Sequence, residues 1–328
     1  MKNKIVIIGS GAMGTACATI LADNDQNVVI YGVDEQEIQE LRSGKNTKYF
    51  GSIDLPYFKA TTNLQEALVE AEFVLMAVPT KAYEAVYSEV VQNLTSQVIL
   101  INVSKGFWPN TSLPVHEVLE LKNKIKSKIT GVVSLIGPSF AIDMVNKSIT
   151  LVSAVSASKI ASNRVAKLFS NEYFRVYRQN DVRGAFVGAI YKNILAIANG
   201  MLDGLEFTNN TQAALIARGV SEMLRYNKIV GGKNKTLFGL TGIGDLVLTA
   251  LSSKSRNYTF GKNFIQNQIG DENITIEGKH SIKIIYEKYV ATKVLRLPII
   301  EALYQVIFDH QDPLKIIKNL MKKPIINE

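Results

Sequence analysis

A glycine run, Gly9-Ser10-Gly11-Ala12-Met13-Gly14, follows the apolar segment Ile5–Ile8 and opens a stretch of small residues with helical spacing. At such a place Gly9 allows a tight turn and Gly11 lets a pyrophosphate approach the backbone. Gly14 permits close helix–strand packing, and the unpaired amides of the helix start bind phosphate. The pattern alone is a weak signal, and its position between a strand and a helix makes it a dinucleotide-binding loop. About twenty residues past Gly14 stands Asp34, which either meets a ribose hydroxyl or caps a helix over Glu35–Arg42. No Arg or Lys occurs between Val28 and Gln39, so no local partner for a 2′-phosphate is visible.

A second set of polar residues lies in the other half. Asp245 and Thr249 are four apart, so on a helix they share one face. Gly242 and Gly244 give the backbone freedom to start that helix tightly. Arg256 offers a forked guanidinium suited to phosphate, and Asn257 both donates and accepts hydrogen bonds. Lys192 is the only charge between Arg183 and Asp203 on an otherwise apolar helix, where it either snorkels or is buried for a purpose. Plainer readings exist for each: Asp245 as a cap, Lys105 as a solvated loop lysine, Arg256 in a surface ion pair.

Other chemistries find no support. His116, His280 and His310 are far apart and share no ligand spacing with Cys17, so no metal site is expected. No Gly-x-Ser-x-Gly elbow occurs. With one cysteine no intrachain disulfide forms; Cys17 reads as packing, and a reducing, cytoplasmic setting fits. The 37 Lys and Arg against 29 Asp and Glu give a net charge of +8, which by itself does not choose among anionic partners. The run Lys122, Lys124, Lys126, Lys128 carries no aromatic between its lysines and reads as a solvated face rather than a nucleic-acid surface. The amino-terminal apolar run is a strand rather than a signal peptide, and no uncharged apolar run reaches the ~18 residues of a membrane span.

These residues need a frame to hold them. Short apolar runs at Ile5–Ile8, Val28–Tyr31, Phe73–Val78, Val98–Val103 and Val132–Ile136 alternate with amphipathic stretches such as Asn63–Ala71 and Lys81–Gln92. Unbroken apolar strands joined by helices predict an α/β, doubly wound, mainly parallel Rossmann-like sheet. Ile149–Val155 and Tyr173–Tyr177 extend it. From Asp181 the strand patterns give way to helical ones: Phe186–Leu205, Thr211–Ile229, Ile282–Leu295 and Ile299–Phe308, broken at Gly231–Gly232, Gly239 and Gly242. Two domains are therefore expected, a dinucleotide-binding unit at 1–180 and an all-helical substrate-binding unit at 181–328.

Ser104-Lys105-Gly106, the GPSFA of 137–141, Lys192-Asn193, the TGIGDLVLT of 241–249, Ser255-Arg256-Asn257 and Glu277-Gly278 stand in one order behind the glycine loop. From Ile5 to about residue 309 the chain thereby resembles the bacterial NAD(P)-dependent glycerol-3-phosphate dehydrogenases. The resemblance implies interconversion of dihydroxyacetone phosphate and sn-glycerol 3-phosphate with NAD(H) or NADP(H), supplying glycerophospholipid synthesis, and a homodimer. It implies a cofactor site of Gly9, Gly11, Ala12, Met13, Gly14, Val33, Asp34, Lys105, Gly137, Ser139, Ala141, Arg256, Thr275 and Glu277. The substrate would meet Lys105, Gly137, Ser139, Lys192, Asn193, Asp245, Thr249, Ser255, Arg256 and Asn257, with Lys192 as proton donor or acceptor and Lys105 and Asp245 beside it. The chain departs from the family at Val33, where a basic or imidazole side chain is frequent, and at Lys147 and Ile149, where Gly and Pro are usual. Lys279 and His280 replace an aromatic residue and Arg.

Rival readings are a hydroxy-acid or ketopantoate-type dehydrogenase, a non-catalytic dinucleotide sensor and a basic nucleic-acid binder. Lys105, Lys192, Asp245, Arg256 and Asn257 together disfavour all three. Asp34, with no cation near it in sequence, favours a ribose diol over a phosphate. NADH is therefore expected to serve at least as well as NADPH; kcat/KM for the two cofactors checks this, and an advantage of about tenfold for NADPH overturns it.

Overall fold

The structure, a computed structural model, describes residues 3–123, 128–267 and 276–321. Thr275 and the lysines at 124 and 126 lie outside the described residues.

The strands are β1 (Lys4–Ile8), β2 (Asn27–Tyr31), β3 (Lys59–Thr61), β4 (Phe73–Met76), β5 (Val98–Asn102), β6 (Ile129–Ile136), β7 (Thr150–Val155) and β8 (Phe174–Gln179). They form one sheet ordered β3-β2-β1-β4-β5-β6-β7-β8. Every neighbouring pair is parallel except β6 with β7. Chain order reverses between β1 and β4, and the crevice beyond the carboxyl ends of strands at such a reversal is where ligands bind in this architecture. Apolar patterning anticipated every strand but β3, whose three residues at the sheet edge are too few to show a period.

Both faces of the sheet are covered, which explains the unbroken apolar runs; every residue of β4 and β5 is buried. Ile5, Ile7, Leu75 and Ile101 meet Ala16, Ile20 and Leu21 of helix α1 (Ala12–Asp23) on one side. Val6, Ile8, Val74 and Leu100 meet Leu68, Tyr87 and Val90 on the other. Each such large side chain contributes about 1.5–3 kcal/mol on burial, so register is strongly held where the site residues leave the strands.

Beyond Gln179 the described residues hold helices and no strand. A central helix, Val182–Gly204, is buried at every position from Gly184 to Leu202 and is surrounded by the helices Asn209–Val230, Asp245–Ala250, Arg256–Ile265 and Glu277–Ile285. Its length and apolarity would suit a membrane span, yet it is wholly enclosed by protein, as a core helix is. Asp181 starts it, accepting from Gly184 N (3.1 Å), Lys233 N (2.8 Å) and Thr236 Oγ1 (2.6 Å). Gly231, at φ +80°, ends the helix Asn209–Val230 in the left-handed conformation glycine takes readily.

One expectation needs correction. The stretch Ile282–Leu295 is not one regular helix: an α-helix over Glu277–Ile285 passes into a wider π-helical turn, Tyr286–Val290. Its apolar spacing survives because Ile282, Ile285 and Tyr286 still address the helical core, Tyr286 stacking on Tyr304 at 3.7 Å. Lys147, where the family resemblance implies glycine, takes φ +56° and is held by an ion pair with Asp23 (3.0 Å).

The central helix approaches the Leu240–Gly244 turn so closely that a Cβ on Gly188 would lie 2.0 Å from Thr241 O. That turn delivers Asp245. Gly188→Ala is therefore expected to destabilise the fold by roughly 1–3 kcal/mol, by overpacking against backbone that has little room to move. Urea unfolding measures it, and a stability within about 0.5 kcal/mol of wild type would contradict the close packing.

Candidate active site

Three charged side chains meet in the cleft between the sheet and the helices. Lys105 emerges just beyond the carboxyl end of β5, Lys192 from the middle of the central helix, and Asp245 from the first position of the helix Asp245–Ala250. Lys192 Nζ donates to Asp245 Oδ1 at 2.6 Å and to Thr249 Oγ1 at 3.2 Å. Lys105 Nζ donates to Asp245 Oδ2 at 3.1 Å, and Thr249 Oγ1 to Asp245 Oδ1 at 3.3 Å. The carboxylate is 1% exposed and the Lys192 side chain 8%, so the snorkelling alternative for Lys192 does not apply.

Burial drives the Lys192 ammonium down to about 7, with the positive charge of Lys105 adding to the effect and Asp245 opposing it. Burial pulls Lys105 the same way and is the largest single effect, but Asp245, Lys192 and Glu277 together outweigh it and leave Lys105 above the ordinary lysine value. Burial would raise Asp245, and the two ammonium groups overcome it and hold the carboxyl below its ordinary value. Of the three, Lys192 alone is poised to exchange a proton near neutral pH.

A buried network sits beneath Lys105. Asn102, at the end of β5, accepts from Tyr83 Oη (3.0 Å) and Ser104 N (3.1 Å), and donates to Ser134 Oγ and Ser104 O (both 2.9 Å). Ser104 Oγ donates to Val78 O (2.6 Å), pinning the turn that presents Lys105 to the end of β4.

Around these groups lie the other substrate candidates. Asn193 Nδ2 donates to Glu277 Oε2 (3.2 Å), and Gly278 N donates to Asn257 Oδ1 (2.9 Å), tying three helices together. Burial raises Glu277, opposed first by the nearby guanidinium of Arg256 and then by Lys105 and Lys192, so all four belong to one electrostatic cluster. Arg256 itself is exposed at the start of the helix Arg256–Ile265. The Ser255 hydroxyl caps that helix, accepting from Tyr258 N (3.4 Å). Gly244 is in ordinary helical conformation, and a Cβ there would meet nothing nearer than 3.6 Å; the tight fit is at Gly242, 2.0 Å from Leu237 O.

The glycine loop has the geometry of a phosphate cradle. Gly9 has φ +117°, and a Cβ on it would strike Ala77 O at 2.6 Å; one on Gly14 would lie 2.1 Å from Gly9 O. A Cβ on Gly11 would meet nothing within 3.8 Å, so open space stands before the α1 amino terminus, which no side chain caps. Ala12 and Met13 occupy its first turn, where amides point outward without helical partners. These residues fit a dinucleotide. Asp34 caps α2 (Glu35–Arg42) through Gln36 N (3.0 Å) and Glu37 N (3.2 Å), and beside it Val33 is 86% exposed at the rim. Met13, Lys105 and Ser139 line one small cavity of about 20 Å³ with Cys17, and burial pushes that thiol up to about 12, consistent with packing. Ser139 Oγ donates to Gly137 O (3.0 Å), and Ala141 begins a short helix behind them.

Three supports of the loop escaped the sequence reading. Buried Glu37 accepts from Ser10 Oγ (2.5 Å) and Lys48 Nζ (2.6 Å). Buried Asn46 donates from Nδ2 to Ser10 O and Thr15 Oγ1, both at 2.9 Å. Tyr49 Oη stands 3.8 Å from the position of a Gly11 Cβ. The only signal for Glu37 was its helical spacing from Asp34, which a solvated acidic face shares.

Two family models match the chain, described as the NAD-dependent glycerol-3-phosphate dehydrogenase N-terminus over residues 4–162 and C-terminus over residues 181–318. A glycerol-3-phosphate dehydrogenase [NAD(P)+] of Mycoplasma mobile is 45% identical over 94% of this chain and 93% of its own length. One from Enterococcus faecalis is 36% identical over 98% and 96%. The crystal structure of glycerol-3-phosphate dehydrogenase from Coxiella burnetii superposes with a TM-score of 0.87 at 30% identity, covering 98% of this chain and 99% of that one. With both halves matched and relatives aligned nearly end to end, the chain belongs to the NAD-dependent glycerol-3-phosphate dehydrogenase family.

Proposed function

We propose that the Lys105–Asp245–Lys192 cluster carries out the interconversion of dihydroxyacetone phosphate and sn-glycerol 3-phosphate with NAD(H) or NADP(H). The nicotinamide cofactor, when bound, supplies the hydride for ketone reduction and accepts it in the reverse direction. Lys192 Nζ gives its proton to the C2 carbonyl oxygen as that oxygen becomes a hydroxyl, and takes it back in oxidation. Asp245 holds the ammonium in place through the 2.6 Å bond, and Lys105, on the opposite carboxylate oxygen, keeps the site positive as negative charge develops. Arg256 and Asn257, at a helix amino terminus, suit the substrate phosphate. Lys105, Lys192 and Arg256 against Asp245 and Glu277 leave the cluster with an excess of cations, as a phosphorylated substrate requires. The observation that carries this reading is a buried lysine held near neutrality beside a carboxylate and a second lysine.

In this reading residues 1–180 hold the dinucleotide, residues 181–328 hold the three-carbon phosphate, and the reaction runs between them. Gly9, Gly11, Ala12, Met13 and Gly14 take the pyrophosphate, while Val33 and Asp34 stand at the adenosine end. A cytoplasmic homodimer completes it, in keeping with a buried, unpaired Cys17.

Lys192→Ala is expected to lower turnover by roughly 10²–10⁴-fold with little change in cofactor affinity. Reduction needs the protonated amine, so wild-type kcat/KM for ketone reduction should fall as pH rises through about 7, and that for alcohol oxidation should rise through the same region. Both limbs should vanish in the variant, and turnover within about threefold of wild type would remove Lys192 from the chemistry.

Losing one partner of a charge-assisted guanidinium–phosphate pair costs roughly 2–5 kcal/mol, so Arg256→Ala should weaken catalysis on dihydroxyacetone phosphate by roughly 30-fold to several thousand-fold. Arg256→Lys should recover only part, since an ammonium lacks the fork. Unphosphorylated dihydroxyacetone should be used almost equally poorly by all three proteins. An equal loss on both ketones, with cofactor KM measured separately, would show that Arg256 is not the phosphate clamp.

A further inference from the structure

A cavity of about 210 Å³ outside the catalytic cleft lies at the seam between the sheet side and the helices. Its floor is one face of the central helix, Arg183, Phe186, Val187 and Ile190, at the i, i+3, i+4, i+7 spacing. Lys192 is two positions past Ile190, about 200° round the helix, so the cavity and the catalytic lysine occupy opposite faces. Tyr226 and Tyr289, packed edge to face at 5.3 Å, form an aromatic wall. At the rim Arg183 Nε is 3.6 Å from Glu117, and Lys288 Nζ donates to the neutral hydroxyl of Ser112 at 3.1 Å. Two cations face one carboxylate, over an apolar and aromatic interior. The volume is below the roughly 300–1,000 Å³ of sites for drug-sized ligands.

The cavity is also wired to the reaction. Residues 112–114 of its wall close a loop that begins at Lys105: Trp108 N donates to Leu113 O (2.9 Å), Val115 N donates to Gly106 O (3.1 Å), and Phe107 is bridged to Pro114. Phe107 is buried in the helical core. Lys105–Asp245 thus anchors one end of this loop to the helices, and Lys288–Ser112 the other.

We infer that this cavity is a regulatory site for a small organic monoanion with an aromatic or branched apolar body, acting on catalysis through the 105–114 loop. The anion takes the Lys288 and Arg183 rim, its body lies on Phe186, Val187 and the tyrosines, and drawing Lys288 off Ser112 shifts the loop that carries Lys105.

Trp108 is the sole tryptophan, buried within that loop, and so reports on it directly. Sodium benzoate is the probe, with sodium chloride at matched ionic strength and benzylamine hydrochloride as controls. Excited to the red of benzoate absorption, Trp108 emission is expected to change saturably with benzoate, with a dissociation constant on the order of 1–10 mM, and not with either control. Lys288→Glu, an exposed change that preserves the fold, should weaken this at least about tenfold by placing an anion at the rim. Val187→Phe, which fills the cavity, should abolish it. Benzoate should alter kcat for dihydroxyacetone phosphate reduction in wild type and not in Lys288→Glu. The proposal is overturned by the absence of saturable binding, by binding unchanged in Lys288→Glu, by binding without effect on kcat, or by simple competition with dihydroxyacetone phosphate.

Discussion

One carboxylate, buried to 1% exposure and gripped on each oxygen by a different ammonium, is the constraint around which this molecule is organised. Removing such charges from water costs several kcal/mol per ion, and mutual attraction returns that only when the geometry is good. The geometry here is good because each partner arrives on a rigid element. Asp245 comes from a helix start, Lys192 from the best-buried helix, and Lys105 from a turn fixed by Asn102 and Ser104. As a device for stability alone the cluster would be a poor choice, since well-packed apolar groups do as well or better. On the proposed function its value lies in holding one amine near neutrality and another well above it, at one site.

Much else follows from keeping that cluster dry and in register. The central helix is apolar on every side because neighbours cover every side, so its lone internal charge must face the cleft or go unpaired. The close approach of that helix to Thr241 brings Asp245 within bonding distance of Lys192. On the other wall, the sheet is packed on both faces, so the carboxyl ends of β1, β4 and β5 hold fixed positions. The glycine loop, the Val78 carbonyl and Lys105 leave from those ends.

How much of this was legible in the sequence depended on whether the signal was local. Unbroken apolar runs announced the sheet, since burial on both faces leaves no polar alternation to blur them; the edge strand β3 was invisible because three residues carry no period. Lys192 stood out as the one charge among the nineteen residues from Gly184 to Leu202, although only packing could show that it is buried rather than snorkelling. Asp34 had two readings. The helix cap is formed, and capping uses only Oδ1, so the ribose reading stays open alongside it. The supports of the loop were not legible at all. Glu37 sits in an acidic stretch that looks solvated, and Asn46 is an unremarkable loop residue; both matter only because α2 folds back over Ser10. Ser255 was read with the substrate set; its hydroxyl also caps a helix, which uses one lone pair and leaves its O–H to donate.

The same electrostatic logic links substrate choice to proton transfer. Burial, with the positive charge of Lys105 adding to it, makes Lys192 the amine that loses its proton most readily. On the proposed placement of the phosphate beside Arg256, an incoming substrate would add negative charge to the cluster and favour the protonated form of Lys192, the form that ketone reduction needs. A neutral ketone of the same shape would bring no such charge and would find the acid less often protonated. On that proposal, discrimination for a phosphorylated substrate would rest on the proton donor as well as on the phosphate contacts. The weak screening that this coupling needs is found at the buried end of the cluster, at Lys192 and Asp245, while solvent screens the exposed Arg256.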